Sequence, residues 1–148
     1  MKFSKLFNIH KKRSPFLDYP FKRQGNKKLL ISDMLIDLFE KLEKKPSRWV
    51  VEFGVHGGHD GVILEPLIGD DYSGVLIESS KSGYEQVKKI YKHNPLITCI
   101  NSFVEPVGKK SLDNLLATTS CPKYFDVLLI DIDSIDYQVW DSFNNYNP

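Results

Sequence analysis

Four short apolar runs punctuate the chain, and between them the apolar positions switch to helical spacing. Trp49-Val50-Val51-Glu52-Phe53, Gly74-Val75-Leu76-Ile77-Glu78 and residues 96–100 and 125–130 are too short for helices and lack strict alternation. Such runs suit parallel strands covered on both faces. Residues 29–44 repeat Leu30, Met34, Leu38 and Leu42 at helical spacing, with Ile31, Leu35 and Phe39 widening the face. Lys41, Lys44 and Lys45 suit the end of that helix, and Pro46 stops it. Residues 60–68 predict a short helix, and residues 80–92 a longer one with Tyr84, Val87, Lys88 and Tyr91 at helical spacing. Residues 111–117 follow with Ser111 as N-cap, and residues 137–143 open a last helix. After the first helix the order βαβαβαβα predicts an α/β fold, a Rossmann-like parallel sheet with helices on both faces. The run 125–130 is the most apolar and is expected to be a central strand. Tyr137 and Trp140, one helical step apart, are expected in the core rather than against a substrate.

The chemistry gathers where these strands end. The first runs into Gly54-Val55-His56-Gly57-Gly58, and the second ends in the acid Glu78. A glycine turn lets backbone approach a ligand, and an acid one strand further can grip ribose hydroxyls, so the pair predicts a nucleoside pocket. Asn101 and Ser102 close the third strand, and Asp131 the fourth. Ligands of open α/β sheets sit outside these carboxyl ends. A dinucleotide turn would need G-x-G-x-x-G, but counting from Gly54 its later glycine positions fall on His56 and His59. The frame that fits is acid-x-Gly-x-x-x-Gly, through Glu52, Gly54 and Gly58, with Gly57 as an added flexible point.

That spacing is similar to the first motif of class I S-adenosylmethionine-dependent methyltransferases. From about residue 50 to 143 the chain resembles their FkbM-like branch, also through Gly74-Val75-Leu76-Ile77-Glu78, Ser111-Leu112-Asp113-Asn114-Leu115-Leu116 and Phe125-Asp126-Val127-Leu128-Leu129-Ile130-Asp131-Ile132-Asp133. The resemblance implies that Glu52, Gly54, His56, Gly57, Gly58, Glu78, Asn101, Ser102 and Asp131 bind S-adenosylmethionine. It also implies that Asp131 and Asp133 line the reaction side, where one orients or deprotonates an acceptor hydroxyl. The acceptor would be a sugar or other small hydroxylated metabolite. Asp136 completes the family's acidic segment, but Ser134 stands where that segment usually has glycine, so a local backbone difference is expected. The family's sheet has further strands after the fourth. The resemblance therefore implies a sheet incomplete on its C-terminal side, as in a fragment or truncated protein, with the strand at 125–130 left as an unpaired apolar edge open to self-association.

Simpler readings stand beside each assignment. Glu52 could cap the turn alone, and Glu78 could be a surface acid at a strand end. His56 and His59 lack the third ligand a metal site needs. Asp131, Asp133 and Asp136 could hold a divalent cation, which a methyltransferase does not require, or Asp133 or Ser134 could cap the last helix. Ile130-Asp131-Ile132-Asp133 also looks like the Asp-x-Asp of metal- and nucleotide-sugar-dependent glycosyltransferases, a reading that leaves the glycine turn and Glu78 unexplained. A non-catalytic cofactor-binding remnant is the other rival.

Composition adds boundaries. The 148 residues suit one domain, and 41% hydrophobic with 26% charged residues is ordinary for a globular protein. The net charge of +1 conceals a basic arm at residues 1–28, with nine Lys and Arg against Asp18, set apart from a Rossmann-like domain at 29–148. The arm carries Phe3, Leu6 and Phe7 and could touch an anionic membrane surface, but it has no regular nucleic-acid-binding motif. Cys99 and Cys121 fit no metal or redox spacing and are expected as free thiols of a cytoplasmic protein. No run of apolar residues is long enough to span a membrane.

Overall fold

The computed structural model describes residues 31–41, 46–55, 62–69 and 71–148. Among these residues nine elements follow in order: α1 (Ile31–Glu40), β1 (Trp49–Phe53), α2 (Glu65–Gly69), β2 (Ser73–Glu78), α3 (Lys81–Tyr91), β3 (Ile97–Asn101), α4 (Leu112–Leu116), β4 (Val127–Ile130) and α5 (Asp136–Ser142). The strands form one parallel sheet in the order β3-β2-β1-β4. This is the expected Rossmann-like α/β architecture. The basic arm and its proposed membrane contact, together with His56, Gly57 and Gly58, lie outside the described residues.

Each face of the sheet buries its own apolar cluster. Val51, Phe53, Val75 and Ile77 pack against Leu112 and Leu116 of α4, Val139 of α5 and the rings of Phe125, Phe143 and Tyr146. On the other face Val50 and Leu76 meet Leu67 and Ile68 of α2 and Val87 and Tyr91 of α3. Phe39 of α1 stacks on Tyr72 with ring centroids 6.2 Å apart. Because both faces are covered, β1 and β2 are buried along nearly their whole length, which is why neither strand alternates in sequence.

Three expectations are corrected. Among the described residues the run at 125–130 forms an edge strand, not a central one: β4 pairs with β1 alone, and its four residues are only half-buried. Its apolar character comes from covering both faces, not from having neighbours on both sides. Tyr137 is 62% exposed rather than part of the core, because it lies in the first turn of α5, whose buried residue is Val139. The helix expected over 60–68 starts only at Glu65 within the described residues.

Past α5 the chain returns to the base of β4. Asn147 donates to the Lys123 carbonyl at 2.8 Å, and its own carbonyl accepts from Phe125 N–H at 3.3 Å. Phe143 and Tyr146 stack 5.8 Å apart, and the Lys123 ammonium lies 4.1 Å from the centre of the Tyr146 ring, a favourable cation–π placement. Cys99 is half-buried and Cys121 buried, both as free thiols. No described helix is long and apolar enough to cross a membrane.

Candidate functional site

Parallel strands deliver their C-terminal residues to one edge. Gly54 follows β1, Glu78 ends β2, Asn101 ends β3 and Asp131 follows β4. Between them lies a hollow of about 140 Å³ lined by Gly54, Ser79, Ser102, Asp131 and Asp133 with the apolar Phe53, Ile77, Phe103, Val104 and Ile132. Gly54, Ser102, Asp131 and Asp133 thus meet as the sequence suggests. Glu52, Glu78 and Asn101 stand behind the lining rather than in it.

Gly54 is fixed by close approach. Its φ is +88°, and a Cβ there would run into the Asp131 carbonyl. Main-chain bonds from Gly54 N–H to the Ile77 carbonyl at 3.2 Å and from Asp131 N–H to the Phe53 carbonyl at 3.1 Å tie the three strand ends together. Only glycine offers both the left-handed conformation and the missing side chain.

Most nearby acids are held by main-chain amides. Glu52, 2% exposed, accepts from Ile63 N–H at 2.8 Å and Leu64 N–H at 3.0 Å, so it anchors the segment leading into α2. Burial pushes its pKa up, the two amides draw it down, and the Asp131 charge adds a smaller upward push. Asp136 accepts from Ile132 N–H at 3.0 Å and Ser134 N–H at 2.9 Å, closing the turn after β4. The Ile132 amide bond is the largest cause of its lowered pKa. Capping of α5 by Asp133 or Ser134 is corrected: the N-cap position is Ile135 with no side-chain cap, and Ser134 Oγ donates back to the Ile132 carbonyl. The left-handed residue in this turn is Asp133, with φ +55°.

Glu78 is 7% exposed, and its Oε1 accepts from Ser80 N–H at 2.6 Å. Among the described residues its Oε2 accepts no hydrogen bond. Its side chain lies against the first turn of α3, where a Cβ on Gly83 would come within 3.0 Å of the Glu78 Cγ. Asn101 Nδ2 donates to the carbonyls of Glu78 at 2.8 Å and Ser79 at 3.1 Å, pinning the ends of β2 and β3 together. Asp131 and Asp133 are exposed, and among the described residues neither carboxylate accepts a hydrogen bond. They are the acids of the hollow with both oxygens at a ligand's disposal. Among the described residues no group of three His, Cys, Asp or Glu is arranged to hold a metal ion.

Sequence reasoning overlooked Ser79, Phe103 and Ile132. All three stand just past strand ends, the position that had already singled out Ser102 and Asp131. Phe103 is 49% exposed at the rim, an apolar surface suited to a planar ring. Comparison of the chain with known protein families, curated proteins and solved structures returns no match.

Proposed function

We propose that the chain binds S-adenosylmethionine at the carboxyl edge of its sheet and forms the cofactor-binding part of a methyltransferase acting on a hydroxyl of a small molecule such as a sugar. The observation that supports this best is the division among the acids. Glu52 and Asp136 are committed to main-chain amides, while Glu78 keeps one oxygen and Asp131 and Asp133 keep two each. The hollow is smaller than the roughly 300–1,000 Å³ of typical small-molecule sites, so its lining holds part of a ligand, with Gly57 and Gly58 expected to hold more. In this reading the cofactor's ribose bonds the free Glu78 oxygen, and its adenine lies by Asn101, Ser102 and Phe103.

The bound cofactor supplies an electrophilic methyl group on a sulfonium. The chain's own task is mainly positioning and exclusion of water. Asp131 or Asp133 accepts a hydrogen bond from the acceptor hydroxyl, aligns its oxygen, and takes its proton as the oxygen becomes nucleophilic. A divalent cation is not needed for that step. A cytoplasmic location and self-association along the open edge of β4 belong to the same proposal.

Calorimetry with S-adenosylhomocysteine tests the reading. The wild-type chain is expected to bind it, and Glu78→Ala to weaken binding roughly 10–100-fold, the effect of losing hydrogen bonds to a charged group. Equal affinity in the variant would remove the ribose assignment. The free Asp131 and Asp133 carboxylates also suit the Asp-x-Asp glycosyltransferase reading. Mn²⁺-dependent binding of a UDP-sugar without binding of S-adenosylhomocysteine would favour that rival.

A further inference from the structure

Glu52 is an acid enclosed by an apolar cluster. It lies in register with Leu76 of β2 and Leu129 of β4 on the face that buries Leu64, Val87 and Tyr91. Its two acceptors are spent on Ile63 and Leu64, the residues through which the segment from Gly54 enters α2. Among the described residues no cation pairs with it. Among the described residues the ionisable groups that face it are Asp131 from the end of β4 and Tyr91 from α3, and Tyr91 also feels Glu65 of α2. The Tyr91 hydroxyl is buried without a hydrogen-bond partner among the described residues.

The two protonation states of Glu52 cannot hold the same partners. A carboxylate is an acceptor at both oxygens, whereas a carboxylic acid turns one oxygen into a donor. That donor needs an acceptor inside the cluster, and the Tyr91 hydroxyl has acceptor capacity to spare. We propose that Glu52 is a proton-operated latch on the entry into α2 at Ile63 and Leu64. Ionised, it holds the Ile63 and Leu64 amides together; protonated, it turns towards Tyr91 and lets one of them go. Burial and the Asp131 charge both favour the proton, which moves the release above the usual glutamate range. The entry into α2 at Ile63 and Leu64 is therefore firmer at neutral than at mildly acidic pH, whatever ligand the hollow takes.

The test needs no ligand, so failure of S-adenosylhomocysteine to bind would count against the proposed function and not against the latch. Amide NMR of the full chain is followed from pH 8 to pH 4.5. The Ile63 and Leu64 resonances are expected to shift with one shared midpoint above the ordinary glutamate value, and their protection from exchange to fall several-fold below it. Tyr91→Phe should lower that midpoint. His56 and His59 stand in the same segment of the sequence, and a transition driven by them would persist in Glu52→Gln. Loss of the transition in a folded Glu52→Gln supports the latch, and its survival overturns it. If that variant does not fold, the wild-type Glu52 side-chain carboxyl signal decides. A midpoint shared with the two amides supports the latch, and a midpoint in the ordinary range or apart from theirs overturns it.

Discussion

A carboxylate that already accepts two main-chain N–H groups has little left to offer a ligand. Asp113 holds Asn144 and Asn145, Asp126 holds Ser47, Arg48 and Trp49, and Glu52 and Asp136 each hold two amides. Identity and spacing treat these acids alike, so the sequence could group Asp131, Asp133 and Asp136 but not separate the clamp from the two free members. Gly54 was legible because a glycine straight after an apolar strand marks a backbone constraint by its identity, even though the residue that imposes it, Asp131, is distant in sequence. Replacement of Gly54 by alanine is expected to cost about 2–4 kcal/mol through the left-handed φ and the encounter with the Asp131 carbonyl, read as a drop in thermal midpoint. An unchanged midpoint would show that the turn has another conformation. Asp133, left-handed and with no hydrogen bond to its carboxylate among the described residues, should behave oppositely: Asp133→Gly gains a few tenths to about 1 kcal/mol and, if the proposed methyl transfer takes place, lowers it. A gain in both would remove Asp133 from the reaction.

At the scale of elements, caps and strand ends were readable where a side chain acts on its own neighbours. Ser80 and Ser111 accept from Gly83 and Asn114 and start α3 and α4 within a residue of expectation. The beginning of α2 was not readable, since it depends on Glu52 taking the amide of Ile63, eleven residues further on. Strand order was likewise hidden from the apolar pattern, which reports covered faces and not the number of neighbours; the open edge at 125–130 was implied by the resemblance alone. The edge position of β4 predicts that half its amides, those turned away from β1, exchange with solvent markedly faster than the amides of β1 and β2. Equal protection across the three strands would mean that another strand covers this edge.

Across the whole molecule, two oppositely shifted acids shape the response to pH. Asp136 has a lowered pKa in the folded state, so its stabilising effect is present above the ordinary aspartate value and fades as pH falls through the folded one. Glu52 has a raised pKa, so the folded state keeps a proton that the unfolded chain releases, and stability from that source declines as pH climbs from the ordinary glutamate value through the folded one. Glu52→Gln is therefore expected to flatten the slope of stability in that upper window while leaving the acid limb at lower pH. Burial also raises both thiols, Cys121 to about 11, so a disulfide reagent near pH 8 should modify Cys121 slowly in the folded chain and rapidly once it unfolds. Fast modification under native conditions would show that the packing around Phe125 and Tyr146 is looser than described.

In the proposed function one small-molecule site gathers the ends of β1, β2, β3 and β4. Amide NMR with S-adenosylhomocysteine added to the ligand-free chain tests it most directly. Saturable shifts are expected, confined to Gly54, Ser79, Ser102, Phe103, Ile132 and their neighbours. No shifts at millimolar ligand, or shifts centred away from the carboxyl edge of the sheet, would contradict it.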